Sequence, residues 1–143
     1  MPSLIHTLLF GKFQTPSRGI ATDLGLLILR LGVSLPMMNH GFGKLTSFTE
    51  LSATFPDPLG VGTTVSLGLT VFAEFFCAIA VALGLFTRPS TIPLIITMLV
   101  AAFIVNANAA WADQELAVVF MAGFVAILVA GPGRISMDKV ISH

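Results

Sequence analysis

Long apolar stretches alternate with short polar breaks along most of the chain. Crossing a bilayer as a helix takes about 20 apolar residues, and four stretches qualify: Thr22–Gly43, Thr64–Phe86, Thr91–Ala110 and Gln114–Gly131. The last has eighteen residues. At the helical rise it covers about 27 Å, enough for a hydrocarbon core of about 30 Å if its ends lie in the interface. The breaks carry turn chemistry. Phe55, Pro56, Asp57, Pro58, Leu59 and Gly60 divide the first two stretches, and paired prolines beside aspartate and glycine end helices. Thr87, Arg88, Pro89 and Ser90 form the second break, Ala112 and Asp113 precede the fourth stretch, and Gly131, Pro132 and Gly133 close it. Ahead of the first stretch, Leu4, Ile5, Leu8 and Leu9 recur at helical spacing with Lys12 beyond them. That pattern predicts a short interfacial helix within residues 1–19. A signal peptide fits less well, because His6 interrupts a short apolar run and no small-residue cleavage pattern follows.

The expected fold is all-α, a four-transmembrane-helix bundle forming a single membrane domain over residues 1–143. Composition agrees: 55% of residues are apolar and 10% charged, against roughly a quarter charged in soluble domains. Seven acids and seven bases cannot cover a soluble surface of this size. The length leaves no room for a large catalytic domain beside the membrane part. Zero net charge and the lack of a basic run argue against nucleic acid as a partner. Cys77 is the single cysteine, which excludes an intrachain disulfide, a Cys-x-x-Cys redox centre and a thiolate zinc site. Lys12, Arg18, Arg88, Arg134 and Lys139 fall on the side of the termini and Lys44 on the other. The positive-inside rule therefore predicts that both termini are cytoplasmic.

Polar residues inside the spans are the candidate chemistry. Arg30 in the first span and Glu74 in the second lie near the same depth, and membrane charges usually pair and face the bundle interior. An Arg30–Glu74 ion pair is the expectation; the alternative has Arg30 reaching back to the near surface, since side chains lean toward their helix N-terminus, and Glu74 protonated and bonded locally. Arg30, Ser34, Met37, Gly41 and Lys44 share one helical face, which should point inward. At its outer end lie Asn39 and His40, and the third and fourth spans bring Asn106, Asn108 and Glu115 to that depth. Histidine exchanges a proton near neutral pH, and a lysine beside a carboxylate polarises a carbonyl. His40, Lys44, Asn106 and Glu115 are thus candidate ligands for a quinone ring or a lipid headgroup. Ala122 and Ala126, on the face of Glu115, are read as allowing close helix approach. One histidine and two carboxylates lack metal-ligand spacing, so no metal site is expected. No Walker loop, dinucleotide fingerprint or nucleophile elbow occurs.

The segment Leu29 to Leu45, LRLGVSLPMMNHGFGKL, resembles the first helix of the DoxX family, in which a membrane arginine precedes His-Gly-x-x-Lys-Leu. Those positions are Arg30, His40, Gly41, Lys44 and Leu45. Ala73 and Glu74, followed by Gly84, Leu85, Thr87 and Arg88, and the closing Gly131, Pro132, Gly133 and Arg134 are similar to the same family, so the likeness runs over about residues 23–139. The resemblance implies a four-helix bundle in a bacterial inner membrane and, for some members, association with quinone-linked or sulfur-related oxidoreductase complexes. It does not make the chain a complete enzyme. Family members commonly carry a histidine near the outer end of the third helix, where this chain has Asn106, which weakens any two-histidine proton transfer. No residues for haem, flavin or metal binding are recognisable, so electron chemistry would come from a redox partner protein. The expected role is an accessory subunit of a quinone-linked redox complex, with a quinone or lipid site in the outer half. The alternative is a small-molecule or lipid transporter, or an assembly factor for membrane proteins.

Overall fold

A computed structural model describes residues 19–142; the interfacial helix expected within residues 1–19 therefore lies outside the described residues, save Gly19. Four long helices dominate: α1 (Ile20–Thr46), α3 (Thr63–Leu83), α4 (Thr87–Val105) and α5 (Trp111–Ala130), each long and apolar enough to cross a membrane. Two short helices, α2 (Phe48–Leu51) and α6 (Met137–Ile141), follow α1 and α5. The protein is an integral membrane protein, helical over its described residues. Among the described residues there is no strand. The long helices pack in chain order, with α5 closing onto α1. One end of the bundle, the termini end, holds Gly19, the α3–α4 turn and the C-terminal segment; the far end holds the other two connections.

Helix ends depart from the sequence boundaries for local reasons. α4 starts at Thr87 rather than Thr91, with Pro89 in its first turn, where N–H groups have no intrahelical acceptor and proline removes nothing. It ends at Val105, five residues early, in a π-helical segment over Ala101–Val105. A second π-helical segment, Phe72–Cys77, interrupts α3. α3 stops at Gly84, whose φ of 71° suits a left-handed C-cap. Gly84 N–H reaches Val81 O at 3.0 Å and Leu85 N–H reaches Ala80 O at 2.8 Å, the paired bonds of a Schellman ending.

The core lies between the four helices. Met37, Ala78, Val81, Leu94, Phe124 and Ile127 are fully buried there, and Cys77 joins them as a buried free thiol. Ile28, Phe72, Phe76, Ile96 and Val119 point outward and are exposed, as expected where hydrocarbon replaces water outside the bundle. α1 buries Asp23, Arg30, Ser34, Met37 and Gly41. The predicted inward face is therefore present, and it runs about two turns further to Asp23. At Gly41 the backbones of α1 and α3 nearly touch: a Cβ there would sit 2.6 Å from Glu74 C and Phe75 N. Ala122 and Ala126 are exposed, so they do not mediate helix approach. Gly123 does, since a Cβ on it would come within 2.7 Å of Val33 Cγ1.

Candidate functional site

Arg30 and Glu74 do not pair, which corrects the expectation drawn from their common depth. Among the described residues, Arg30, 3% exposed, gives its hydrogen bonds to backbone carbonyls at the termini end. Nε donates to Ala82 O at 3.3 Å, Nη1 to Pro132 O at 2.7 Å and Nη2 to Ile135 O at 2.9 Å. Ala82 lies in the last turn of α3, whose carbonyls have no helical partners and whose dipole favours a cation. Glu74, 4% exposed, is instead joined to Lys44 by an ion-paired hydrogen bond. Side-chain lean explains the exchange. Arg30 tilts toward the start of α1 and Glu74 toward the start of α3, and these helices run in opposite directions, so the two diverge. Lys44, near the end of α1, tilts back into the bundle and meets Glu74.

Around Arg30 the C-terminal segment folds under the bundle. Asp23, buried in α1, accepts Arg134 N–H at 3.0 Å, and the Arg134 guanidinium lies 3.7 Å from its other oxygen. Asp138 accepts Phe86 N–H at 2.7 Å and Thr87 N–H at 2.9 Å, while its own N–H reaches Gly84 O at 2.8 Å. Its carboxylate thus caps α4 from a distant part of the chain. It also steadies Phe86, whose φ of 45° is a left-handed conformation uncommon for a bulky side chain. Gly84 has no room for a side chain: a Cβ would be 2.9 Å from Arg30 Nη1 and 2.5 Å from Ser136 Cβ. These contacts account for Arg30 and Gly84 as structure. The sequence offered no sign of the roles of Asp23 and Asp138.

The polar groups of the far end surround a pocket of about 180 Å³. α1 contributes Met37, His40 and Lys44, and α3 contributes Glu74. α4 supplies Met98, Ala101 and Asn106; α5 supplies Asp113, Leu116, Ala117 and Phe120. The interrupted stretches of α3 and α4 thus each line the pocket, and such bulges recur at functional sites. The His40 ring stands edge-on to Phe120, with centroids 6.1 Å apart and planes at 87°. Gln114 holds the α4–α5 connection by donating to Asn106 O at 2.6 Å. Of the sequence candidates, His40, Lys44 and Asn106 meet here and Glu115 does not. Glu115 is exposed, and the lining acid of α5 is Asp113. Residues 113, 116, 117 and 120 share one helical face, and two steps along a helix turn residue 115 well away from it. Asn39 and Asn108 are also exposed and outside the lining. Beyond the pocket, Asp57 takes Val61 N–H at 3.0 Å, Gly62 N–H at 2.9 Å and the Ser66 hydroxyl at 2.8 Å. The bond from Ser66, followed by those from the backbone, holds its carboxyl below the ordinary range.

The sequence profile of the DoxX family matches residues 25–107, which contain Arg30, His40, Lys44, Glu74 and Asn106. The chain is similar to the inner membrane protein YqjF of Escherichia coli (strain K12), with 25% identity over 126 residues, 84% of this chain and 94% of that protein. It is also similar to the uncharacterized membrane protein Rv3486 of Mycobacterium tuberculosis (strain ATCC 25618 / H37Rv), with 29% identity over 144 residues, 82% of this chain and 81% of that protein. No solved structure matches.

Proposed function

The chain belongs to the DoxX family of membrane proteins, and from that premise we propose that it is an accessory subunit of a redox complex in a bacterial inner membrane. Its far-end pocket receives the ring of a quinone or the polar head of a lipid. The observation that carries this reading is the pocket itself. Met37, Met98 and Phe120 give it apolar walls, while Lys44, Glu74, His40 and Asn106 supply a few convergent polar groups, the usual make-up of a small-molecule site. At about 180 Å³ it is below the roughly 300 to 1,000 Å³ of sites that enclose a whole drug-sized ligand. A head held here with its tail in the lipid suits that size. Electron chemistry belongs to a partner protein, because the residues brought together offer proton donors and acceptors rather than a redox centre.

Stoichiometric binding of a short-chain ubiquinone analogue to the purified protein, followed beside melting curves, tests the reading. His40→Ala and Asn106→Ala should each weaken binding at least threefold with little change in melting. Equal affinity in wild type and both variants would remove the pocket from the function. The transport alternative draws on the π-helical segments at Phe72–Cys77 and Ala101–Val105, since interrupted helices mark midplane sites in transporters. Ligand-dependent labelling of Glu74-layer positions from both sides of the membrane would favour it.

A further inference from the structure

Resting on the pocket reading above, we propose that this site selects uncharged hydrogen-bonding heads and excludes anionic ones. Among the described residues that line it, Lys44 is the one lysine or arginine, and Glu74 already pairs with it. Asp113 adds a second carboxylate. A lysine in an apolar pocket would ordinarily mark a phosphate or carboxylate site. Here an entering anion would either displace Glu74, leaving that carboxylate 6% exposed without a countercharge, or share the single positive charge of Lys44 with it. It would also lie beside two like charges, the buried Glu74 and the exposed Asp113.

A neutral head meets no such penalty and finds groups of both kinds. Lys44 has three N–H donors, and among the described residues one is engaged, by Glu74 Oε2. The remaining donors can serve a carbonyl, as can the Asn106 amide. Glu74 Oε1 takes no hydrogen bond from the described residues, so it can accept from a hydroxyl. The pair therefore offers a donor and an acceptor side by side. That matches a molecule bearing carbonyl or hydroxyl oxygens on a ring better than a phosphate-headed lipid.

The test uses two amphiphiles with the same ten-carbon tail, decylubiquinone and decyl phosphate. Adducts on the full-length, detergent-solubilised protein are counted by native mass spectrometry at pH 8, where an ordinary imidazole is neutral. Wild type should bind the quinone at least tenfold more tightly than the phosphate. Asp113→Asn, at an exposed position that leaves the Lys44–Glu74 pair in place, should narrow that ratio about threefold. Glu74→Gln, which frees Lys44, should abolish or reverse it. Phosphate binding equal to quinone binding in wild type, or a ratio unmoved by Asp113→Asn, would overturn the selectivity alone. Failure of both amphiphiles to form stoichiometric adducts would overturn the pocket reading and this inference with it.

Discussion

Assigning Glu74 to Lys44, and Arg30 to backbone carbonyls, predicts which substitutions interact. Lys44→Met strands a carboxylate whose side chain is 6% exposed; breaking a buried pair costs about 3 to 5 kcal/mol, an upper bound because Glu74 can take up a proton. Glu74→Gln should cost less, about 1 kcal/mol, because Lys44, 27% exposed, can extend to the interface. With both changes no stranded charge remains. Non-additivity of about 1 to 3 kcal/mol is expected for the pair. Arg30→Met removes three bonds to Ala82, Pro132 and Ile135 and shares no partner with Glu74. Its combination with Glu74→Gln should therefore be additive within about 0.5 kcal/mol. Reversible unfolding of the six proteins in mixed detergent micelles, followed by Trp111 fluorescence and far-UV circular dichroism, supplies both cycles. Coupling above about 1 kcal/mol between Arg30 and Glu74, with additivity between Lys44 and Glu74, would refute the lean argument and restore the pairing by depth.

Gly41→Ala should destabilise the bundle by roughly 1 to 3 kcal/mol, because its Cβ meets the α3 backbone at 2.6 Å and rigid neighbours cannot yield cheaply. Gly43→Ala, with open space around it, should stay within about 0.5 kcal/mol in the same unfolding assay. The Asp57 carboxyl is held below its ordinary 3.8, so its contribution is complete above that value and disappears as pH falls through the lowered folded value. Hydrogen exchange at Val61 and Gly62 should accelerate over that acid range relative to neighbouring amides, and Asp57→Asn should remove the dependence. If both termini are cytoplasmic, as the charge bias predicts, a thiol reagent applied to intact cells should label Thr54→Cys and spare Ser142→Cys in a Cys77→Ala background; the reverse pattern would sink the charge-bias orientation.

Four spans, their breaks and the inward face of α1 were legible in the sequence because each depends on one-dimensional order: apolar length, turn residues and a 3.6-residue period. The same order located His40, Lys44 and Asn106 at one end of the bundle. Depth alone could not assign partners, however. Arg30 and Glu74 share a level yet separate because antiparallel helices tilt their side chains oppositely. Glu115 shares a level with the pocket yet misses it in azimuth, and Asp113 takes the lining position. The π-helical segments leave no periodic mark that distinguishes them from continuous helix. Asp23 and Asp138 read as ordinary helix-end acids, because their partners, Arg134 and the Phe86–Thr87 backbone, lie 111 and about 50 residues away. Local propensity and hydrophobic period determined the helices and their faces. Only packing, which fixes rotation and close approach between helices, decided which charges meet and which groups enclose the pocket.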